Sequence, residues 1–166
     1  HCRIAHVAFD LRTRHQCSHR VNDDNIDCAR AAEKGVVAMN TPGQNSNAVA
    51  ELVFGMMIMN ARNNYNGKPG TELRGKKLGI IGYGNIGMQL GVIAEGMGMQ
   101  VQFYDVVNKL PLGNARQVPS LNQLLASSDV VSLHVPETPE TIQMVDSGFI
   151  DAFHKPFWLL NTARGK

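Results

Sequence analysis

The sequence is poor in cysteine and has no long uninterrupted apolar run. Its three cysteines all lie within the first 28 residues, and an odd number placed in this way does not indicate a disulfide framework. We therefore expect a protein of a reducing compartment, the cytoplasm. The longest apolar stretch, residues 49–59, is interrupted by Glu51 and Gly55. It is shorter than the roughly 20 residues that a membrane-spanning helix needs, so we expect no membrane partner.

An excess of either charge is also missing. The sequence has 16 lysine and arginine residues and 14 aspartate and glutamate residues, and its net charge of +2 is too small to indicate a nucleic-acid partner. Histidine and cysteine residues cluster between residues 1 and 19, but their spacing fits no standard zinc pattern. We therefore predict no metal site, and we interpret the basic segment 11–20 as a solvated loop.

Apolar strands alternate with helices from residue 76 onward. The pattern predicts strands at residues 77–81, 101–104, 130–133 and 157–160, and helices at residues 85–96, from Ser120, and at residues 147–153. The strands are apolar throughout, which is typical of a parallel sheet covered on both faces. The sequence therefore predicts an α/β fold with a Rossmann-type, doubly wound parallel sheet.

The first 40 residues give weaker signals. Short apolar runs predict strands at residues 4–9 and 36–39. Between them, Asp27 is a suitable N-cap for a helix that ends at Gly35.

A longer helix is predicted from Ala48 to about Arg62, with Ser46 or Asn47 as its cap. Its residues are apolar nearly all round. Such a helix is buried between layers or between domains.

A glycine motif, Gly-Tyr-Gly-Asn-Ile-Gly at residues 82–87, lies between a predicted strand and a predicted helix. This context gives the motif its meaning. Gly82 permits a tight turn, Gly84 lets a diphosphate approach the backbone, and Gly87 lets the helix pack close to the strand. The first N–H groups of the helix then face the phosphates.

An acid follows the next predicted strand. Asp105 lies near the expected distance of about 20 residues beyond the glycines. Its carboxylate can accept hydrogen bonds from both hydroxyls of an adenosine ribose and would repel a 2′-phosphate. We therefore predict NAD rather than NADP as the cofactor.

Two further segments follow predicted strands, at the sheet edge where ligands bind. His134 and Pro136 lie at the first, where His134 either contacts the cofactor or caps the strand end. Arg164 lies at the second. It either holds a substrate carboxylate and polarises a carbonyl or is a surface arginine.

Segments spread along the chain from Asp24 onward resemble the D-isomer-specific 2-hydroxyacid dehydrogenases. The resemblance rests on the order and spacing of residues 24–27, 36–42, 47–52, 73–79, 82–87, 128–136 and 161–165. Residues 108–115, with the sequence Asn-Lys-Leu-Pro-Leu-Gly-Asn-Ala, are similar to the bacterial members that oxidise phosphoglycerate.

The resemblance implies roles for individual residues. It assigns Arg164 as the catalytic arginine that binds the substrate carboxylate. It implies cofactor contacts for the glycines and for the residues Asn85, Ile86, Asp105, His134, Pro136, Thr162, Ala163 and Arg164.

The implied reaction is the NAD-dependent oxidation of D-3-phosphoglycerate to 3-phosphohydroxypyruvate, the entry to serine biosynthesis. Two alternatives stay open: a non-catalytic NAD-sensing interaction module, and a dehydrogenase for another small anionic 2-hydroxy acid such as lactate or glycerate. The resemblance also implies a homo-oligomer, either a dimer or a tetramer, because the family associates through its cofactor domain.

The implied domains are residues 1–40, the last portion of a substrate domain, and residues 41–166, an NAD-binding domain truncated at its C-terminal end. The glutamate and histidine that the family uses for proton transfer lie downstream of the arginine motif, so we expect these 166 residues to turn over little substrate. The family's glycine-rich substrate loop corresponds to residues 19–23, which lack glycine. There Asp23, together with Asp24, would repel an anionic substrate.

Overall fold

The computed structural model describes residues 8–10, 15–17, 27–38 and 41–163. The chain divides into two compact units, residues 1–45 and 46–166. In the first unit, the strands β1 (Ala8–Asp10) and β2 (His15–Cys17) pair antiparallel. The helix α1 (Cys28–Glu33) follows, and its N-cap Asp27 accepts a hydrogen bond from the Arg30 N–H at 3.0 Å, as predicted.

Other predictions for the first unit need correction. The strand β1 covers the last two residues of the strand predicted at 4–9 and extends to Asp10, while residues 4–7 lie outside the described residues. The strand β2 lies within the segment 11–20 that was predicted to be a loop. In the strand predicted at 36–39, Val37 forms an isolated bridge and is 49% exposed, and residue 39 lies outside the described residues.

In its described residues, 46–163, the second unit contains a five-stranded sheet and four α-helices. The strands are β3 (Lys77–Ile81), β4 (Gln100–Tyr104), β5 (Arg116–Gln117), β6 (Val130–Leu133) and β7 (Trp158–Asn161), and the helices are α2 (Ser46–Ala61), α3 (Asn85–Gly96), α4 (Leu121–Ser127) and α5 (Ser147–Asp151). The predicted bounds of β3, α3 and β6 agree with the structure. The two-residue strand β5 was not predicted, β7 is shifted by one residue, and α5 ends before Phe153.

All the strand pairs of this sheet are parallel, in the order β5-β4-β3-β6-β7. The chain runs outward from β3 through β4 to β5 and then crosses back to β6 and β7, so the switch point lies between β3 and β6. Ile81 is level with Tyr104 on one side and Leu133 on the other, and Leu133 is level with Asn161. The carboxyl ends of four strands therefore form one edge. The predicted Rossmann-type fold is confirmed.

A hydrophobic core lies on each face of this sheet, because alternate side chains of a strand point to opposite faces. One core joins α2 and α3 to the sheet and contains Met57, Leu90 and Ile80. The other joins α4 and α5 to the sheet, with Leu124 against Ile81. Burial on both faces explains why the central strands β3 and β6 are mostly apolar.

The helix α2 begins two residues earlier than predicted, since Ser46 and Asn47 are its first residues rather than its caps. Val53 and Met57 are fully buried, whereas Leu52 is 59% exposed and Met59 is 46% exposed. The position of this helix between layers or between domains stays a prediction. Among the described residues, no helix has the length and apolarity to cross a membrane.

Candidate functional site

The glycine loop lies at the carboxyl edge of the sheet and is bonded to the strands on both sides of β3. The Gly82 N–H donates to the Tyr104 carbonyl at 2.9 Å, and the His134 N–H donates to the Ile81 carbonyl at 2.8 Å. The loop therefore lies at the switch point, where the strand order reverses and a ligand can enter.

The three glycines of the loop meet different surroundings. Gly82 has a φ of +89°, and a β-carbon there would lie 2.6 Å from the carbonyl oxygen of His134. A β-carbon at Gly87 would clash with the Gly82 carbonyl oxygen. At Gly84, by contrast, a β-carbon would meet no atom within 4 Å. Close packing thus leaves no room for a side chain at Gly82 and Gly87, whereas Gly84 borders open space.

The N-terminus of α3 faces that open space. Gly84 is its N-cap, and no side chain of the described residues makes a capping hydrogen bond there. The first N–H groups of a helix have no partner within the helix and carry a partial positive charge. The helix start at Asn85 and Ile86 is therefore ready to hold an anion such as a diphosphate.

Tyr83 fills the space beneath the loop. Its side chain is fully buried and stacks on Phe103, with the ring centroids 3.7 Å apart. The hydroxyl oxygen accepts the Leu112 N–H at 3.3 Å, and burial raises the pKa of Tyr83. The ring is therefore a neutral support that links the glycine loop to the segment after β4.

Asp105 lies at the carboxyl end of β4, beside the glycine loop. One carboxylate oxygen accepts the Tyr83 N–H at 2.9 Å, and the other accepts the Val107 N–H at 3.2 Å. A carboxylate offers about four lone pairs, so each oxygen keeps one for another donor. Two neighbouring hydroxyls of a ribose match that capacity.

His134 lies at the end of β6, next to Gly82. Its Nε2 is 2.8 Å from the hydroxyl oxygen of Ser132, which is fully buried. Burial lowers the pKa of His134 to about 4, so the imidazole is neutral near pH 7. Ser132 was not predicted as part of the site. The sequence signal that could have indicated it is its distance of two positions from His134, which places both side chains on one face of a strand.

A cavity of about 930 Å³ opens beyond the ends of β6 and β7, and Pro136 and Ala163 line it. Thr141, which also lines it, shapes its mouth: the Thr141 hydroxyl donates to the Pro136 carbonyl at 2.6 Å and accepts the Thr138 N–H at 2.8 Å. Thr141 gives no signal in the sequence, since its role depends on the fold of the loop. The volume lies within the range of small-molecule sites.

The segment after β7 contributes an unsatisfied polar atom. The Ala163 N–H donates to Asn161 Oδ1 at 3.0 Å. The buried Oγ1 of Thr162 has no hydrogen-bond partner among residues 27–38 and 41–163. Buried hydroxyls are normally bonded, so this atom fits a polar group of a ligand. Arg164, the predicted catalytic residue, lies outside the described residues.

Within the described part of the chain, no group of three histidine, cysteine, aspartate or glutamate residues is arranged to hold a metal ion. The side chains of residues 1–19 lie outside that part.

Taken together, the carboxyl edge offers a dinucleotide three complementary features. The uncapped helix with open space at Gly84 suits a diphosphate. Asp105 suits a ribose, and the unsatisfied Thr162 hydroxyl beside the cavity suits a polar ring substituent. The residues present therefore fit NAD.

Comparisons with protein-family models and with known proteins indicate the same family. The model of the D-isomer-specific 2-hydroxyacid dehydrogenase NAD-binding domain matches residues 29–166. The D-3-phosphoglycerate dehydrogenases of Haemophilus influenzae and Escherichia coli K12 are each 46% identical, over 87% of this chain. This chain spans 38% of the length of each of these relatives.

Solved structures of the same kind are similar in fold. The NAD⁺-bound 3-phosphoglycerate dehydrogenase of Entamoeba histolytica is 39% identical, with a TM-score of 0.73 over 89% of this chain and 48% of that one. The apo D-lactate dehydrogenase of Escherichia coli is 28% identical, with a TM-score of 0.77 over 91% of this chain and 52% of that one.

Proposed function

This chain belongs to the D-isomer-specific 2-hydroxyacid dehydrogenase family, and from this premise we propose that its second unit binds NAD along the carboxyl edge of the sheet. The observation that carries the proposal is the uncapped start of α3, open at Gly84 and flanked by Asp105. Asn85 and Ile86 offer their N–H groups to the diphosphate. Gly82 and Gly87 shape the loop that presents them.

Asp105 binds the adenosine ribose. Its two oxygens are already held by backbone N–H groups, so they are oriented before the cofactor arrives. A 2′-phosphate would bring negative charge against this carboxylate, and NADP is therefore disfavoured.

The nicotinamide end lies toward β7. Thr162 and Ala163 contact it, while His134 and Pro136 form the wall of the site at the end of β6. The chemistry that bound NAD supplies is hydride acceptance from the carbon that carries the substrate hydroxyl. Arg164 binds the substrate carboxylate as a bidentate pair and orients that carbon.

The substrate that we propose is D-3-phosphoglycerate, which the whole protein oxidises to 3-phosphohydroxypyruvate in serine biosynthesis. Two observations support it: the 46% identity to D-3-phosphoglycerate dehydrogenases, and the segment 108–115. A second candidate, D-lactate, is favoured by the structural similarity to D-lactate dehydrogenases. The lower identity of those proteins, 28% and 31%, makes it the weaker one.

Three further proposals concern organisation. Residues 1–40 are the end of a substrate domain, and residues 41–166 form the cofactor domain. The division of the structure at residues 45 and 46 supports a boundary near this place. The protein works in the cytoplasm, in keeping with three cysteines clustered near the start of the chain.

The protein also associates with copies of itself through α2, whose exposed Leu52 and Met59 would otherwise face water. Sedimentation should show a dimer or larger species, and Leu52→Glu should reduce it to the monomer. The control Ile150→Glu, at another exposed apolar residue, should leave the assembly intact. A wild-type monomer at all concentrations would contradict this proposal.

Cofactor titration by calorimetry tests the main proposal. NADH should bind more tightly than NADPH, and Asp105→Asn should weaken NADH by about tenfold, or about 1.4 kcal/mol. The exposed acid Asp151 supplies a matched control, and Asp151→Asn should bind like the wild type. Equal affinity for NADH and NADPH in the unaltered chain would overturn the role of Asp105.

The substrate proposal needs the whole protein that contains this chain. With NAD present, kcat/KM for D-3-phosphoglycerate should exceed that for D-lactate by about a hundredfold or more, because a site built for a phosphate rejects an analogue that lacks it. The reverse preference would establish the second candidate.

A further inference from the structure

One amide side chain near the cofactor site bonds the segment after Asp105 at three points. Gln117 lies on β5, level with Phe103 of β4, and its side chain is half-buried. Its Nε2 donates to the Val107 carbonyl at 3.0 Å and, more weakly, to the Asp105 carbonyl at 3.5 Å. Its Oε1 accepts the Lys109 N–H at 3.0 Å. A single side chain thus serves three backbone groups of residues 105–109.

These bonds reach the Asp105 carboxylate through one intermediate residue. The Val107 carbonyl is held by Gln117, and the Val107 N–H donates to Asp105 Oδ1. If residue 107 moved, that N–H would no longer point at the carboxylate. The other oxygen, Oδ2, is held independently by the Tyr83 N–H. Gln117 therefore controls one of the two contacts that orient the carboxylate.

The surrounding segment has little else to fix it. Val106 is 88% exposed and Leu110 is 82% exposed, so burial does not hold residues 106–110. The next anchor along the chain is Leu112, whose N–H donates to the Tyr83 hydroxyl. Polar bonds rather than packing determine the conformation here, and Gln117 makes three of them.

We propose that Gln117 is a positioning residue for the ribose-binding carboxylate, and that it sets cofactor affinity and the preference for NAD over NADP through residues 105–109. This inference rests on the proposed role of Asp105. Gln117 itself touches no cofactor in this scheme. Its amide is suited to the task because it offers two donors and an acceptor in one plane, matching two carbonyls and one N–H.

The substitution that tests the proposal is Gln117→Met, which keeps the length of the side chain and removes its donors and acceptor without adding charge. The matched control is Gln100→Met, at an exposed glutamine at the amino edge of the same sheet. NADH affinity should fall about fivefold in the test variant, while NADPH affinity should change less than twofold, because a loosened carboxylate loses its ribose contacts and its repulsion of a phosphate together. The control should bind both cofactors like the wild type.

Two further readouts separate positioning from a general structural effect. Hydrogen exchange of the Lys109 and Val107 amides in the cofactor-free chain should accelerate about tenfold in Gln117→Met and stay unchanged in the control. In a double-mutant cycle, adding Gln117→Met to Asp105→Asn should cause little further loss of NADH affinity, since both act through one carboxylate. Gln117→Ala repeats these measurements with a smaller side chain.

Three outcomes would overturn the inference: equal weakening of NADH and NADPH, losses that multiply in the double variant, or faster exchange of Lys109 with unchanged NADH affinity. The proposed function fails separately, if Asp105→Asn leaves NADH affinity unchanged. If Asp105→Asn weakens NADH and Gln117→Met does not, the proposed function stands and the role of Gln117 is refuted.

Discussion

The two edges of the parallel sheet each carry an aspartate, and the fold uses the two carboxylates differently. At the amino edge, Asp129 accepts the Lys77 N–H and the Lys155 ammonium, both at 2.7 Å. Its backbone carbonyl also accepts the Trp158 N–H at 3.0 Å. Three strands are joined there by protein partners alone. At the carboxyl edge, the two partners of the Asp105 carboxylate among the described residues are backbone N–H groups, and it keeps capacity for more donors.

The same contrast extends to the neighbouring polar groups. The start of α3 has no side-chain cap, the buried Thr162 hydroxyl has no partner in the described part of the chain, and the His134 imidazole is neutral. The polar groups of the amino edge, the closed edge, are thus paired within the protein, whereas those of the carboxyl edge, the open edge, can still bond a ligand. Stability and binding should therefore be separable. A change at the closed edge should alter stability and not cofactor affinity, and a change at the open edge should alter cofactor affinity more than stability.

The largest expected effect comes from closing the open edge. Gly84→Ala should weaken NADH binding about 30-fold, or about 2 kcal/mol, because the added methyl group occupies the space where the diphosphate approaches. Thermal stability should stay the same, since a β-carbon there meets no protein atom and Gly84 has a φ of −87°. Calorimetric titration and thermal unfolding measure the two quantities.

Gly96→Ala is the control for that experiment. It adds the same methyl group at the other end of α3, where it also meets no atom within 4 Å. NADH affinity should remain unchanged. If Gly84→Ala bound NADH normally, the diphosphate would have to lie elsewhere.

A smaller effect concerns pH at the open edge. The pKa of His134 is lowered to about 4 in the folded protein, below the unfolded value of about 6.5. The unfolded chain therefore binds more protons between these values, and stability falls as the pH falls from 6.5 towards 4. Between pH 7.5 and 5.5 this histidine should account for a loss of about 1.4 kcal/mol.

Denaturant unfolding of His134→Gln at the two pH values measures that contribution. The variant should show a shallower loss of stability between pH 7.5 and 5.5 than the wild type. His154→Gln replaces an exposed histidine and corrects for the loss of one imidazole. An unchanged pH dependence in His134→Gln would show that the ring takes up its proton without cost to the fold.

Local signals in the sequence predicted the elements that form the open edge, but not the hydrogen bonds that hold the segment after Asp105. The bounds of β3, α3 and β6 followed from local signals, namely apolar runs, glycines and a helix start. The juxtaposition of Gly82 and Asp105 followed from the rule that parallel strands end at one edge. Gln117 gave no such signal, because its partners at residues 105–109 are set by the path of an exposed segment. The strand β5 was missed for a different reason, since two polar residues carry no periodicity.

The Ser132–His134 pair was partly predictable from sequence, and the Asp129–Lys155 pair was not. The spacing of two residues predicts a shared face for Ser132 and His134, but not that burial keeps the ring neutral. The ion pair joins residues 26 positions apart in sequence, and no local pattern predicts such a contact. Pairings of this kind depend on the packed fold and had to come from the structure.

The smallest expected effect comes from the closed edge. Burial acts to raise the pKa of Asp129, but the hydrogen bonds from Lys155 and the Lys77 N–H outweigh it and lower the pKa below its usual value. A carboxyl group of this kind contributes stability above its unfolded pKa and loses the contribution as the pH falls through its folded pKa. Asp129→Asn should therefore cost about 1 kcal/mol at pH 7, because the pair is partly exposed and screened by water, and should cost less at pH 2, where more of the Asp129 carboxyl is protonated. Unfolding at both pH values measures this, with Asp151→Asn as the control at an exposed acid.

NADH affinity should not change in Asp129→Asn, because the residues proposed to bind NADH lie at the opposite, carboxyl end of the strands. A parallel loss of stability and affinity would show that the two edges are coupled through the strands, and the separation between them would then fail.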